Sequence, residues 1–455
     1  MRAATSAARG VFVAFALLLA GVVAAGAACP EVQPKACERC FAVFVMPDTQ
    51  HYTSTSSQPE GADHLDLVTR YVCRHRERWV EPRTGKVMPI LMLIHLGDLV
   101  QRGDHREEGQ LAEWMRVDAA FDRLDACEPS VPYLVTIGNH DIAGKSYEGS
   151  SEGYDRYFGV SRWADRGVAC ADPARCDWDA GEYFIGGGDP IEALSRNRLG
   201  PGEPGPPRTS PGRHRAGVVR TPGGERLLFL GLELAFDLPP EGEEVGEGRG
   251  DDARWPLRVL AEHADVPTIV FHHSLFWAWG RGDPRLRFGP EVWGADSLDP
   301  GRADDPGGGG GMRALWERLV APHRQVAMVF SGHVLRPTTQ ADFTVPREHG
   351  PPVFGFLRNF QNAGIPGDRE PGPRYGAGWN VIAAFDPDAR EVRVRSYRID
   401  DVESYADPLR NRLHRGEPAP TECLDTDWQG VGERIEFWPP ELDAPSEGAN
   451  AHSAP

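Results

Sequence analysis

Polar groups suited to metal chemistry follow five apolar stretches of the chain. These groups are Asp48 and Gln50, Asp98, Asn139 and His140, His272 or His273, and His333. Carboxylate, amide and imidazole groups around one point suit borderline divalent ions such as Zn, Mn or Fe. A carboxylate shared by two ions can hold them about 3.5–4 Å apart, the spacing that clamps an in-line attack on phosphorus. The residue types therefore predict a two-metal hydrolytic centre.

The stretch 131–141 carries two of these groups and a further carboxylate within four residues. An apolar, β-rich run ends there in Gly138-Asn139-His140-Asp141, which offers a neutral oxygen, an imidazole and a carboxylate. A tetrapeptide of this kind also occurs as a plain turn, so on its own it is weak support for a metal site. The five stretches together support a metal site more strongly. In three of them a glycine stands directly before the polar group or one residue earlier, and glycine lets the backbone turn sharply.

These groups need strands and helices that bring them to one edge of a sheet. Apolar strand patterns alternate with helical patterns over the first part of the chain, with strands at 41–46, 89–96 and 131–137 and helices at 65–79 and 111–124. This order predicts parallel strands joined by right-handed crossovers, an α/β fold in which ligands collect at the carboxyl ends of the strands. Further strands are predicted at 226–233, 268–271 and 326–330, and a closing antiparallel run at 353–356, 379–385 and 391–397.

We predict a single elaborated catalytic domain over residues 41–400, because the candidate ligands run from position 48 to position 333. Two segments lack the alternating strand and helix patterns, 142–224 and the glycine-rich 280–311, and both are predicted to be insertions. The first is long enough to serve as a lid or a specificity element. Residues 401–455 are expected to form a C-terminal extension that is partly disordered.

Residues 1–28 have the order of a secretory signal peptide, with arginines, then an apolar core, then small residues. This pattern predicts a secreted or periplasmic protein with no transmembrane segment in its mature chain. A lipid anchor on Cys29 is the alternative that we consider less favoured. All eight cysteines lie at or beyond the predicted cleavage point, so disulfides are expected, with a structural bridge at Cys37-x-x-Cys40 and a Cys170–Cys176 pair.

The chain is acidic. Its formal net charge of −18 becomes about −20 when the two arginines of the signal segment are removed. Such a charge argues against non-specific binding of nucleic acid, which requires a basic surface. It is compatible with a small phosphorylated substrate, because bound metal can make a site locally positive.

The ordered series Asp48-x-Gln50, Gly97-Asp98, Gly138-Asn-His-Asp141, His272 and Gly332-His333 resembles that of the calcineurin-like metallophosphoesterases. The resemblance covers roughly residues 41–400. It implies a two-sheet β-sandwich flanked by helices, with two divalent metal ions at the strand ends. It also implies that Asp98 bridges the ions, that Asn139, His272 and His333 complete one site, and that Asp48 anchors the other. His140 is then the catalytic acid or charge stabiliser beside the phosphate, and His273 remains an alternative to His272.

The chain departs from the family pattern at two positions of one metal site. Gln50 stands where the family has histidine, and Leu335 stands where it has a second histidine after Gly332-His333. Amide oxygen is a poorer donor to Zn or Fe than imidazole, so this site is expected to be weakened. Asn359, Gln361 and His51 are candidate substitutes. Two functions stay open: a secreted phosphoesterase acting on a mono- or diester, and a degenerate metal-binding or structural module.

Overall fold

The computed structural model describes residues 34–54, 61–143, 151–162, 214–233, 250–277, 287–288, 315–333, 340–360 and 379–399, except positions 83, 105, 107, 160, 161 and 349. The helices of these segments are α1 (Gln50–Thr53), α2 (Gly61–His75), α3 (Glu108–Asp125), α4 (Glu152–Phe158) and α5 (Gly250–Glu262). A 3₁₀ turn spans Asn139–Asp141 and a π-helical turn spans Trp316–Val320. The strands are β1 (Lys35–Ala36), β2 (Phe41–Met46), β3 (Trp79–Val80), β4 (Lys86–Met88), β5 (Ile90–His95), β6 (Tyr133–Val135), β7 (Arg215–Arg220), β8 (Arg226–Leu232), β9 (Thr268–His272), β10 (Phe276–Trp277), β11 (Arg287–Phe288), β12 (Val326–Ser331), β13 (Gln340–Val345), β14 (Val353–Arg358), β15 (Trp379–Asp386) and β16 (Glu391–Arg398).

Two large sheets carry the fold. The first has the strand order β16-β15-β2-β5-β6, and the second has the order β13-β14-β12-β9-β8-β7. Within the first sheet β2, β5 and β6 are parallel, and within the second β8, β9, β12 and β14 are parallel. Parallel strands share one carboxyl edge, so the polar loops that follow these strands lie at the corresponding edges of the two sheets.

The strand residues alternate between two apolar cores, because successive side chains of a strand face opposite sides of its sheet. In β9, Ile269 and Phe271 join the core that also holds the strands of the first sheet, whereas Val270 packs with α5 and the π-helical turn. In β12, Met328 and Phe330 join the first core and Val329 the second. The sheets therefore share one core between them, and helices cover the outer face of the second sheet.

The predicted α/β sandwich with flanking helices is confirmed, with local corrections. The helix predicted at 65–79 ends at His75, and Trp79 belongs to β3. The predicted antiparallel closing run is wrong for β14, which pairs in parallel with β12. The reason is the edge strand β13, which runs antiparallel to β14 and returns the chain to the start of a parallel strand.

Two disulfides lie in the described segments. The predicted Cys37–Cys40 bridge precedes β2, and Cys73–Cys127 joins the end of α2 to the residues after α3. The expected Cys170–Cys176 pair, the signal segment, Cys29 and the C-terminal extension lie outside the described residues. Part of the predicted insertion 142–224 is described, and its end forms β7, the edge strand of the second sheet. Among the helices of the described segments, none combines the length and apolar character required to cross a membrane.

Candidate metal centre

Four ligand atoms converge where the two sheets meet. Nε2 of His273 lies 3.3 Å from Oδ1 of Asp98, 3.1 Å from Oδ1 of Asn139 and 3.0 Å from Nδ1 of His333. Asp98 and Asn139 follow β5 and β6 of the first sheet, and the two histidines follow β9 and β12 of the second. We call Asp98, Asn139, His273 and His333 the four-donor cluster.

The spacing of the four-donor cluster fits a divalent cation. A single imidazole proton cannot satisfy three lone-pair atoms that all lie within 3.3 Å of one ring nitrogen. Ligand atoms bound to one Zn or Mn ion are roughly 3.0–3.4 Å apart, given metal–ligand distances of about 2.0–2.2 Å. The ligand atoms of Asp98, His273 and His333 also all lie within 4.8 Å of one another. The donor set and its spacing therefore match a metal ion.

The histidine that lies in this cluster is His273, which was the alternative to His272 in the prediction from the sequence. His273 follows the inward-facing Ile269 and Phe271 in the two-residue alternation of β9, whereas His272 has the outward phase of Val270. Nε2 of His272 donates to the Glu233 carbonyl at 3.1 Å, and its Nδ1 accepts from the Ser274 N–H at 3.0 Å. Both ring nitrogens of His272 thus serve the backbone of the second sheet.

The protein fixes the tautomer of His273. Its Nδ1 donates to the Leu96 carbonyl at 2.8 Å, which leaves the lone pair on Nε2 directed at the other donors. A metal-ligating histidine commonly donates its second N–H to a carbonyl or carboxylate in this way. The neighbouring His333 ring stands edge-on to it, with 4.8 Å between the ring centroids. Desolvation and the nearby His273 lower the pKa of His333 well below its usual range, so it is held in the neutral form that binds metal.

Asp48 and Gln50 form a second group on the other side of Asp98. The Gln50 amide Nε2 donates to Oδ2 of Asp98 at 3.0 Å, and its buried Oε1 has no hydrogen-bond partner. A buried amide oxygen without a partner is costly, and a cation would satisfy it. The Asp48 carboxylate is buried and accepts the His333 N–H at 3.0 and 3.2 Å. Nδ1 of His273 lies 3.7 Å from Oδ1 of Asp48 but is engaged with the Leu96 carbonyl, so the donors that Asp48 and Gln50 offer to an ion are oxygens.

Three glycines are required by the close approach of these loops. A Cβ on Gly332 would lie 2.4 Å from Oδ2 of Asp48, and one on Gly138 would lie 2.3 Å from Oδ1 of Asp98. Contacts this short do not occur between real atoms, so any side chain there would displace a candidate ligand. Gly97 is required as well, because its φ is 92° and a Cβ there would lie 2.7 Å from the Gly138 nitrogen. The Gly-Asp, Gly-Asn-His and Gly-His pattern of the sequence thus has a steric origin at all three positions.

Asp141 holds the loops of Asp98 and Asn139 together. Its Oδ1 accepts the N–H groups of Leu99 at 2.7 Å and Val100 at 3.1 Å, and its Oδ2 accepts that of Gly138 at 2.8 Å. Burial raises the pKa of Asp141 well above its usual range, the Asp98 carboxylate raises it further, and the backbone donors act in the opposite direction. From the sequence, Asp141 was expected only as one more carboxylate of this stretch, and its place directly after Asn139 and His140 was the signal for a supporting role.

His95 is a second supporting residue that the sequence analysis did not identify. It is fully buried at the end of β5, where Nδ1 accepts the Gly97 N–H at 3.1 Å. Nε2 therefore carries the proton and donates to the Thr49 hydroxyl at 3.0 Å. The side chain links the loop of Asp48 to that of Asp98. Its signal in the sequence was a histidine inside an otherwise apolar strand.

His140 lies at the half-buried rim of the site. Its backbone N–H donates to Oδ1 of Asp98 at 2.8 Å, and its ring Nδ1 lies 3.0 Å from the Gln101 carbonyl. A carbonyl only accepts, so Nδ1 keeps its proton and proton exchange falls to Nε2. This arrangement suits a general acid or a charge stabiliser.

The candidate substitute ligands are described only in part. Asn359 is buried just beyond β14 and, since Ser331 pairs with Leu357, stands at the strand position level with His333. His51 is half-buried in α1, next to Gln50. Leu335 and Gln361 lie outside the described residues.

Comparison with known proteins gives one family. The model of the family described as calcineurin-like phosphoesterase matches residues 80–337, more than half of the 455 residues. The search of curated proteins found no match. A solved structure titled "GAP50 the anchor in the inner membrane complex of Plasmodium" aligns over 79% of this chain and 85% of its own, with 9% identity and a TM-score of 0.37. At that level of likeness nothing about this chain follows from it.

Proposed function

Because the chain belongs to the calcineurin-like phosphoesterase family, which implies a metal-dependent hydrolase of phosphoester bonds, we propose that it hydrolyses a small phosphate mono- or diester at the four-donor cluster. The observation that carries this proposal is the convergence of Asp98, Asn139 and His333 on His273. One ligand atom of each lies within 3.3 Å of Nε2 of His273. Four side chains from four strand ends have no structural need to meet in this way.

The residues divide the work between binding and proton transfer. Bound divalent ions supply Lewis acidity towards the phosphate and lower the pKa of a water molecule. The four-donor cluster would hold one ion, and Asp48 and Gln50 would hold a second that shares Asp98. Oδ1 of Asp98 faces the cluster and Oδ2 faces Gln50, as a bridging carboxylate requires. His140, as an imidazolium whose Nδ1 proton is held by the Gln101 carbonyl, would stabilise the phosphate or protonate the leaving oxygen with its second proton, on Nε2.

We propose that the second ion is held more weakly than the first. The four-donor cluster has two imidazoles, whereas the group of Asp48 and Gln50 offers only oxygen donors. Oxygen ligands suit harder ions such as Mn or Mg better than Zn. The protein would then retain one ion through dialysis and exchange the other.

We also propose that the protein works outside the cytoplasm, as a secreted or periplasmic enzyme. The signal-like segment 1–28 supports this, and the disulfides Cys37–Cys40 and Cys73–Cys127 are compatible with an oxidising compartment.

A paired substitution tests the proposal. His273→Gln and His272→Gln alter adjacent buried histidines, of which only the first reaches the cluster. We expect His273→Gln to lose bound metal and hydrolysis of aryl phosphate mono- and diesters, while His272→Gln loses stability and keeps its metal per folded chain. Elemental analysis after dialysis and the two ester assays give the readouts. Tight metal binding without hydrolysis of either ester in the wild type would instead favour a degenerate metal-binding module, for which Gln50 is the specific indication.

A further inference from the structure

The loop that follows Asp98 is held by two buried carboxylates. Four consecutive backbone N–H groups, those of residues 99–102, point at them in pairs. Asp141 accepts the first pair, as described above. Glu113 accepts the second, with its Oε2 2.9 Å from the Gln101 nitrogen and 3.2 Å from the Arg102 nitrogen.

Glu113 reaches this loop from the buried side of α3. It lies one helical turn before Val117, on the buried face of the helix that also carries Trp114 and Phe121. A carboxylate with 3% of its surface exposed needs hydrogen-bond partners, and the loop supplies two. Burial raises the pKa of Glu113, although the two backbone donors and the nearby Arg102 lower it in turn.

The same loop residue also contacts His140. The Gln101 N–H donates to Glu113, and the Gln101 carbonyl lies 3.0 Å from Nδ1 of His140. The Gln101 carbonyl decides which ring nitrogen carries the proton, and therefore which one faces the reaction. This carbonyl shares its planar peptide unit with the Arg102 N–H, and Glu113 accepts both that N–H and the one before it, so Glu113 fixes the position of the carbonyl.

We propose that Glu113 is a positioning residue for the reaction, which acts by holding the Gln101 carbonyl against Nδ1 of His140. The inference rests on the proposed role of His140 in phosphoester hydrolysis. Glu113 itself touches neither the four-donor cluster nor Asp48 and Gln50 through its described hydrogen bonds. Its effect should therefore appear in the chemical step and not in the metal content.

The test compares Glu113→Ala and Glu113→Gln, each alone and combined with His140→Ala. Outer-shell partners of this kind typically contribute 10- to 100-fold, so Glu113→Ala should lower kcat for an aryl phosphate ester about ten-fold with KM little changed. Glu113→Gln should recover most of this loss, because its amide oxygen still accepts from the loop. In the His140→Ala background the alanine substitution should cause no further loss, since interacting residues are not additive.

Asp118→Asn is the matched control. Asp118 lies on the same helix and pairs with Arg162 instead of the loop, so its substitution should alter stability and leave kcat unchanged. If Glu113→Ala does not fold, Glu113→Asp replaces it, because the shorter side chain withdraws the carboxylate from the loop. The proposal would be overturned if Glu113→Ala lowered kcat by the same factor with and without the His140 ring, or if it also lowered the bound metal.

A second readout separates this inference from the proposed function. Ring ¹⁵N shifts of His140, assigned with His140→Ala, report which nitrogen is protonated without any need for turnover. At a pH where the ring is neutral, we expect the Nδ1-protonated tautomer in the wild type and in Asp118→Asn, and a mixture of tautomers in Glu113→Ala. If the wild type hydrolyses neither ester, the proposed function fails, and these shifts alone test whether Glu113 positions the Gln101 carbonyl. Identical shifts in the wild type and Glu113→Ala would then refute the positioning role.

Discussion

Replacement of His95 by asparagine should remove a large part of the pH dependence of the protein's stability. His95 is completely buried in β5, and burial lowers its pKa to about 3, with a smaller contribution from the His273 ring. In the unfolded chain the same imidazole titrates near its ordinary value of 6.5. Protonation therefore favours the unfolded chain over the folded protein at any pH below this value.

The two pKa values give the sign and the size of the effect. Because the folded-state pKa is depressed, the stability contributed by His95 is complete above pH 6.5 and is lost progressively as the pH falls towards 3. From about pH 7 to about pH 5 the loss is roughly 2 kcal/mol, since only the unfolded chain gains the proton in this range. The free energy of unfolding of His95→Asn should therefore fall by roughly 2 kcal/mol less than that of the wild type over the same interval.

Urea unfolding of metal-free protein at the two pH values measures this difference. Metal is removed because its binding also depends on pH. Asparagine can still accept the Gly97 N–H two residues on, and any pH-independent cost of the smaller side chain cancels in the comparison. Thr49→Val is the control, because it removes the hydroxyl that accepts from His95 and keeps the imidazole. It should lower stability equally at both pH values. If His95→Asn retains the full pH dependence of the wild type, a buried neutral imidazole is ruled out as its source.

Three further predictions concern the loops and the second ion. Gly332→Ala should reduce bound metal, because the methyl group would stand 2.4 Å from Oδ2 of Asp48. Gly109→Ala is the control: a methyl group there meets nothing within 4 Å, so the variant should keep its metal content and change stability by no more than about 1 kcal/mol. Asp141→Asn should lower the free energy of unfolding by about 1–3 kcal/mol in denaturant titrations, because its amide cannot accept every backbone N–H that the carboxylate accepts. Gln50→His should raise the metal-to-protein ratio after dialysis, and an unchanged ratio of two in both proteins would contradict a weakened second site.

The strand ends could be predicted from sequence because their signals are local. β2, β5 and β12 are apolar runs that stop at Pro47, Gly97 and Gly332, and each glycine or proline is followed closely by a polar residue. That Asp98 and Asn139 would lie together required only the knowledge that parallel strands share an edge. His273 and His333 follow strands of the second sheet, and only the packing of the two sheets brings them to Asp98. The pairing of β14 was not local in this sense. It depended on β13, an edge strand whose mixed polar and apolar residues gave a weak pattern.

The choice between His272 and His273 depends on the phase of the side chains along β9. Counting by two from Ile269 and Phe271 leads to His273, but the sequence alone does not say which face of β9 meets the first sheet. Glu113 was harder to recognise. Its two partners lie 11 and 12 residues earlier in a loop, and its only signal was an acidic residue at a buried phase of α3. Long-range partners of this kind leave no spacing pattern.

The supporting carboxylates have a common physical purpose in the backbone geometry of the site. Asp98 and His333 adopt left-handed conformations, with φ of 55° and 67°. Such conformations cost about 1–3 kcal/mol in residues other than glycine and persist only where the surroundings enforce them. Asp141 and Glu113 supply this constraint after Asp98, and Asp48 supplies it by accepting the His333 N–H. Ligand directions are thus set by contacts within the protein, and a cation would find its donors already oriented.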